Sequence, residues 1–424
     1  VRPITGNLRG ISESADRSPA LKTAPGVVHL ARQPVFDGHE EMVGRRLLST
    51  ADGSGLPGGF LAGMPGGGDG ELVLAEEMHA LAPRGLVLLS VSRAELLGLR
   101  ALSLPADRFV LCPELPRPVD EDLRGALERH AMRGFRLAVD SVGLAALGGP
   151  LVSGVRTIIV EVGAPSSDEL ARTIAAIRER VGPAELMAVG VHSRGSFEIC
   201  RRLGFDLFQG QFFLRPTGRP KRTVAEAGLG GLGTMAELAT TENFEQLAAI
   251  ITRDPGLSMR LLRYANSAHM ALPRRVGSVH EALAWMGTVT VREFALVAAV
   301  ANVDEAPAEM LATALTRARM CQQLARRLPG TNPEESFTVG LFSVAEAVAD
   351  APIREVVAEL PLREDVASAL VGGAGELGRL LGAVVAYECG DFHSASTLRV
   401  EAGVVAEAYL EALRWADSAV RAVA

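Results

Sequence analysis

Lysine is nearly missing from this chain of 424 residues: Lys22 and Lys221 are the two copies, with none between them. Residues 23–220 therefore cannot use a lysine ammonium in catalysis or phosphate binding. Cysteine is scarce too, and no two of Cys112, Cys200, Cys321 and Cys389 have the spacing of a metal-ligand pair. They read as reduced, mostly buried thiols, the pattern of a cytoplasmic protein. No apolar run reaches the roughly 18 to 20 residues that span a bilayer, and no hydrophobic signal core opens the chain. Positive charge is also in deficit. A net charge of −7 removes any generic electrostatic drive toward nucleic acid or anionic membrane.

What is present suits a globular protein of two domains, since 48% of residues are apolar, 22% are charged, and the length exceeds what one core usually serves. Residues 1–25 mix Gly, Ser, Pro and charge without periodicity and read as a disordered leader. The stretch Asp52 to Gly70 is rich in glycine, each costing a helix about 1 kcal/mol relative to alanine, so only a shortened or irregular element is expected there. From Gly85 onward, short β-like runs begin: Leu86 to Val91, Phe109 to Leu111, Phe135 to Val139, Thr157 to Val162, Leu186 to Val191 and Asp206 to Phe208. Helical segments separate most of them. The clearest is Asp168 to Val181, with Ser166 and Glu169 as a capping box and Leu170, Ile174, Ile177 and Val181 on one face. Strands alternating with helices imply a parallel sheet, and this many repeats suggest a closed barrel over residues 26–216. Residues 217–233, rich in Gly, Pro and basic side chains, read as a linker.

Beyond it the strand signals stop and residues 234–424 read as all helix. Asp254 and Pro255 form an N-cap followed by proline at the first helical position, after which Leu257, Leu261, Leu262 and Ala265 repeat on one face. Ser278 with Glu281 and Thr290 with Glu293 are two further capping boxes, and Gly287 ends the helix between them. Leu247 to Ala265 superficially matches a helix-turn-helix. Only Arg260 and Arg263 are cationic on its second helix, so packing within a core is favoured over base readout.

Two stretches carry resemblances to known families. The run from Arg32 through Gln33, Pro34 and Arg46 to Thr50 resembles the first strand of the EAL domain, the barrel phosphodiesterase of cyclic di-GMP, in the variant fused to an HDOD domain. The runs Asp254-Pro-Gly-Leu, Leu261-Leu262, Asn266-Ser267, Pro273 to Ser278 and Glu281 to Gly287 closely resemble HDOD. Gly340-Leu-Phe-Ser and Tyr387-Glu-Cys-Gly-Asp-Phe are similar to the C-terminal half of such fusions. The fold implied is a TIM-like, EAL-type barrel followed by an all-helical HDOD domain.

The resemblance also implies where a catalytic site would stand. Arg46 takes the place of the signature glutamate, and a guanidinium has no lone pair to offer a cation. The phosphate-binding arginine falls at Thr50, the strand asparagine at Ser90 and the next glutamate at Cys112. Asp140 is retained while Ser141 replaces the second aspartate, the lysine falls at Ile159, and the late glutamates fall at Val189 and His192. Gln209 is kept. Asp140, Glu161 and His192 at strand ends could be imagined as a rebuilt metal site, but two metals need more carboxylates than these provide. No histidine precedes aspartate, so the metal pair of HD hydrolases is missing as well.

The expectation is a non-enzymatic signalling protein without cofactor, working through contacts with other signalling proteins, a homo-oligomer being open. Cyclic di-GMP binding without hydrolysis ranks second, surviving phosphodiesterase activity third, and a nucleic-acid adaptor fourth. The apolar segment Phe294 to Val300 reads as core, and any exposed part of it as a docking surface.

Overall fold

The computed structural model describes residues 28–51, 85–98, 105–116, 119–147, 154–163, 167–216, 229–241, 243–266, 270, 272–300 and 307–423. Eight strands close a barrel in sequential order: β1 Val28–Asp37, β2 Met42–Ala51, β3 Leu86–Val91, β4 Phe109–Pro113, β5 Arg136–Asp140, β6 Val155–Glu161, β7 Glu185–Val189 and β8 Leu207–Gln209. From β2 to β8 each neighbour is parallel, as the alternation of strand and helix predicts. β1 departs from that expectation and runs antiparallel to both β2 and β8. The cause is local. Asp37 Oδ1 accepts hydrogen bonds from the amides of His39 and Glu41, and Glu40 sits at φ 66°, so the chain reverses too tightly for anything but a hairpin.

Both faces of the wall are buried. Val35, Leu88, Val110, Cys112, Ala138, Ile159, Met187 and Leu207 fill the barrel interior. Outward-pointing Phe36, Leu89, Leu111, Val139, Ile158 and Phe208 join the larger core beneath the surrounding helices, the alternation expected of a strand covered on both sides. Those helices are α1 Arg93–Gly98, α2 Glu121–Met132, α3 Ser141–Leu147, α4 Ser167–Val181 and α5 Arg194–Arg202. On α4 the predicted face is buried at Leu170, Ile174 and Ile177. Ser166, half of the expected capping box, lies outside the described residues, as do the leader and the segment Asp52 to Gly70.

Residues Val28 to Ala31 pair with Leu48 to Ala51 beyond the last contact of either strand with β3 or β8, so the hairpin leaves the barrel as a two-stranded arm. An isolated hairpin is at best marginally stable, and this one is covered by the second half of the chain. That half is helical: α6 Leu229–Thr240, α7 Phe244–Arg253, α8 Pro255–Ala265, α9 Val279–Met286 and α10 Thr288–Val300 come first. Then follow α11 Ala308–Ala325, α12 Pro333–Phe342, α13 Ala345–Ala349, α14 Ile353–Ala358 and α15 Glu364–Gly372. α16 Gly375–Glu388, α17 Phe392–Ala395 and α18 Ala402–Val423 complete it.

Several local expectations meet their outcome here. α6 starts at Leu229, inside the stretch read as linker, because buried Leu232, Met235, Ala236 and Leu238 outweigh the poor propensity of its glycines. Asp254 accepts from the amide of Leu257 at 3.1 Å and Pro255 opens α8. Ser278 caps α9, but Glu281 reaches back to the amide of Gly277, one residue before the cap. Thr290 is no cap: α10 has already begun at Thr288, directly after Gly287 stops α9 at φ 81°. Phe294, Ala295, Leu296, Ala298 and Ala299 are buried, so this part of α10 is core.

α11 is buried around most of its circumference and crosses α12 at Gly340, where a Cβ would lie 2.6 Å from the Ala318 Cα. Among the described residues no single helix is long and apolar enough to cross a membrane; α15 and α16 pass that test only as a pair bent by 42°.

Candidate functional site at the barrel mouth

The inward residues at one rim of the barrel bring most of the sequence-predicted positions together. Gln33 and Arg46 face each other across the β1–β2 pair, Ser90 stands beside Cys112, Ile159 beside Asp140 and Met187, and Glu161 beside Val189. Gln209 closes the ring next to Val35. Thr50 does not join them, since it lies out on the arm opposite His29.

Two divalent cations, which the resemblance implies, do not fit these groups. Arg46 contributes a positive charge where a carboxylate is needed, and Ile159 belongs to the apolar interior. Burial pushes the Cys112 thiol up to about 11, although the nearby Arg46 charge pulls the other way, so it stays protonated at neutral pH. Asp140 is already used: its carboxylate accepts the amide of Gly143 in the first turn of α3, which Ser141 opens. Burial, and then the charge of Arg215, lower the pKa of His192, favouring a neutral imidazole. Glu161 is exposed at the rim. Among the described residues no three His, Cys, Asp or Glu side chains are grouped to hold a metal. Gly210 is required for packing, since a Cβ there would collide with the main chain of Val191.

Helices of the second half roof this mouth. α11, α16 and α18, together with Cys389, bring Glu309, Thr313, Thr316, Arg317, Glu388 and Tyr409 over Gln33, Arg46 and Gln209, leaving a cavity of about 250 Å³ between the two halves. Gln33 Nε2 donates to the main-chain oxygen of Glu388 at 2.8 Å, and Gln209 Nε2 donates to Gln33 Oε1 at 2.6 Å. Arg32 forms a two-toothed contact with Asp417 at 3.0 and 3.2 Å, and its amide donates to the Tyr409 hydroxyl at 2.9 Å. Arg45 meets Glu309 at 2.5 Å, and Arg317 meets Glu388 at 2.7 Å within the roof. Burial raises the Glu388 pKa and Arg317 draws it back only in part. On the arm, His29 stacks on Phe392 at 5.2 Å and meets Tyr387 edge-on.

The sequence singles out Arg32, Tyr387 and Glu388 as motif residues without a role, and gives no sign of Glu309, Arg317, Tyr409 and Asp417. No local pattern marks these, because their partners lie far along the chain, 71 residues for Arg317 with Glu388 and 264 or more for Glu309, Tyr409 and Asp417. The HDOD signature lies apart from the cavity. Asp254, Pro255, Ser278 and Gly287 shape helix ends, Leu261 is buried and Leu262 half-buried. Asn266 holds the next loop by exchanging hydrogen bonds with both main-chain groups of Val276 at 2.8 Å. Ser267 lies outside the described residues.

Residues 237–348 match the model of the HDOD domain. The chain is 25% identical over 402 residues to the cyclic di-GMP phosphodiesterase CdgJ of Vibrio cholerae, covering 92% of each chain. It is 26% identical over 236 residues to the uncharacterized protein YuxH of Bacillus subtilis, covering 54% of this chain and 58% of the relative. A crystal structure of an EAL domain protein from Listeria monocytogenes aligns with a TM-score of 0.32 at 13% identity, over 44% of this chain and 87% of the other. With a closed eight-stranded barrel ahead of an all-helical region that contains the match to the HDOD model, the chain fits an EAL plus HDOD protein.

Proposed function

We propose that this chain is a non-catalytic signalling protein of the cyclic di-GMP network, acting through protein contacts of its HDOD half and a barrel without hydrolytic chemistry. Kinship with a protein named as a cyclic di-GMP phosphodiesterase supports the network. One observation carries the loss of chemistry: the mouth holds Arg46, a protonated Cys112 and Ile159 where two cations would need anionic oxygens. The test is incubation of the full chain with cyclic di-GMP in magnesium and in manganese, followed by chromatography. Intact dinucleotide is expected. Linear product that disappears in an Asp140→Ala variant would establish the competing reading, a surviving phosphodiesterase.

A second reading, reception of cyclic di-GMP without hydrolysis, is disfavoured by space. The roofed cavity of about 250 Å³ falls below the roughly 300–1,000 Å³ of sites that enclose drug-sized ligands. Calorimetric titration of the dinucleotide decides it, with no saturable heat expected.

A further inference from the structure

Three polar atoms lining the cavity between barrel and roof are buried without a partner: Arg46 Nε, Arg317 Nη2 and Gln209 Oε1. Unpaired buried groups are rare in folded proteins, and three on one cavity call for a common explanation. The orientation of the two glutamines follows from their neighbours. The Glu388 carbonyl can only accept, so Gln33 must present its Nε2 there and its Oε1 to Gln209, which in turn must donate Nε2. The Gln209 carbonyl oxygen is thereby left as an acceptor. Arg317, 4% exposed, uses Nε on Glu388 and Nη1 on Ser343, and its Nη2 has no partner among the described residues.

Charge points the same way as hydrogen bonding. Arg32, Arg45 and Arg317 are each matched by a carboxylate, Asp417, Glu309 and Glu388. Arg46 makes no ion pair with the described residues, and the one remaining carboxylate on the lining, Glu161, lies exposed at the rim. The cavity thus offers two guanidinium donors, an uncompensated positive charge and one acceptor.

We infer that the domain junction is a binding site for a small oxyanion that also carries a hydrogen-bond donor, of the class of hydrogen phosphate or a short phosphate monoester. The anionic oxygens face Arg46 and Arg317, and the P–OH or alcohol hydroxyl donates to Gln209 Oε1. Because the barrel supplies Arg46 and Gln209 while α11 supplies Arg317, occupancy ties the two halves together. The site does not depend on whether the barrel hydrolyses anything.

Calorimetric titration of the full chain with inorganic phosphate, glycerol phosphate and sulfate at fixed ionic strength tests this, alongside an Arg46→Met variant. Arg46 has no partner among the described residues to orphan, so the variant keeps those neighbours satisfied, and matching circular dichroism checks its fold. Saturable binding of phosphate or glycerol phosphate is expected, the tighter of the two identifying free ion or ester. The Arg46→Met variant should bind roughly ten- to a hundredfold more weakly, the effect of losing a charge-assisted hydrogen bond. Sulfate, which lacks a proton to donate at neutral pH, should bind at least about tenfold more weakly than phosphate. Absence of saturable binding by both phosphates, equal affinity for sulfate, or unchanged affinity in the variant would each overturn the proposal.

Discussion

Gln33 on the first strand and Glu388 at the end of α16 are 355 positions apart, yet an amide of one donates to the main-chain oxygen of the other at 2.8 Å across the barrel mouth. Gln209 extends the chain of bonds to the last strand. Replacing Gln33 by leucine leaves the Glu388 carbonyl and the Gln209 amide buried without partners. Urea denaturation should show a loss of about 1–3 kcal/mol for each orphaned group. An unchanged midpoint would mean that water takes over both bonds.

Arg317 and Glu388 form an ion pair in which both side chains are nearly inaccessible, 5% and 11% exposed. Arg317→Ala should cost about 3–5 kcal/mol, because the carboxylate would remain buried alone. The double variant Arg317→Met with Glu388→Gln should recover a large part of that loss in the same denaturation experiment, since the desolvation penalty leaves with the charges.

Gly340 lets α12 lie directly on α11, with a hypothetical Cβ 2.6 Å from Ala318. Gly340→Ala therefore forces the helices apart. The expected thermal destabilisation corresponds to about 1–3 kcal/mol, despite alanine's better helix propensity; a rise in melting temperature would contradict the contact.

His130 is buried beside the Leu96 carbonyl, 3.2 Å from its Nε2, and burial first, then the charges of Arg133 and Arg129, hold its pKa below the ordinary value of 6.5 while the carbonyl opposes them. A depressed folded-state pKa means that the unfolded chain binds the proton more readily. Stability from this group is complete above pH 6.5 and declines as pH falls from there through the folded-state value. Melting curves of the parent and a His130→Gln variant should accordingly converge as the pH is lowered through that window, and a constant difference would refute the assignment.

Arg46→Glu restores one carboxylate at the mouth. It should not create a metal centre, because Ile159 and the protonated Cys112 still bring no anionic oxygen to the mouth. Titration of the variant with manganese should give no saturable signal; stoichiometric binding would show that a single charge was the whole deficit.

Much of the barrel was legible because a strand wall repeats every two residues and each helix between strands carries its own period. The runs at Leu86 to Val91 and Phe109 to Leu111 sit where their apolar pattern places them. The reversed direction of β1 was not, because hairpin geometry competes with the parallel rule inferred from later repeats. Thr290 looked like a cap by spacing alone, and Gly287 allowed α10 to start three residues earlier, at Thr288. At the mouth, the chemical character of Arg46, Cys112 and Ile159 was readable from residue identity. The use of Asp140 as a brace for α3 was not.

By itself the sequence determined what each position can offer: residue identity sets charge, lone pairs and hydrogen-bonding capacity regardless of where a side chain ends up. Only the tertiary structure decided that the mouth is roofed, that Gln33, Gln209 and Glu388 form one relay, and that Arg46, Arg317 and Gln209 share a cavity. Those relations join residues of both halves across long spans of chain, and no periodicity or spacing encodes a contact that exists only once two separately patterned domains have docked.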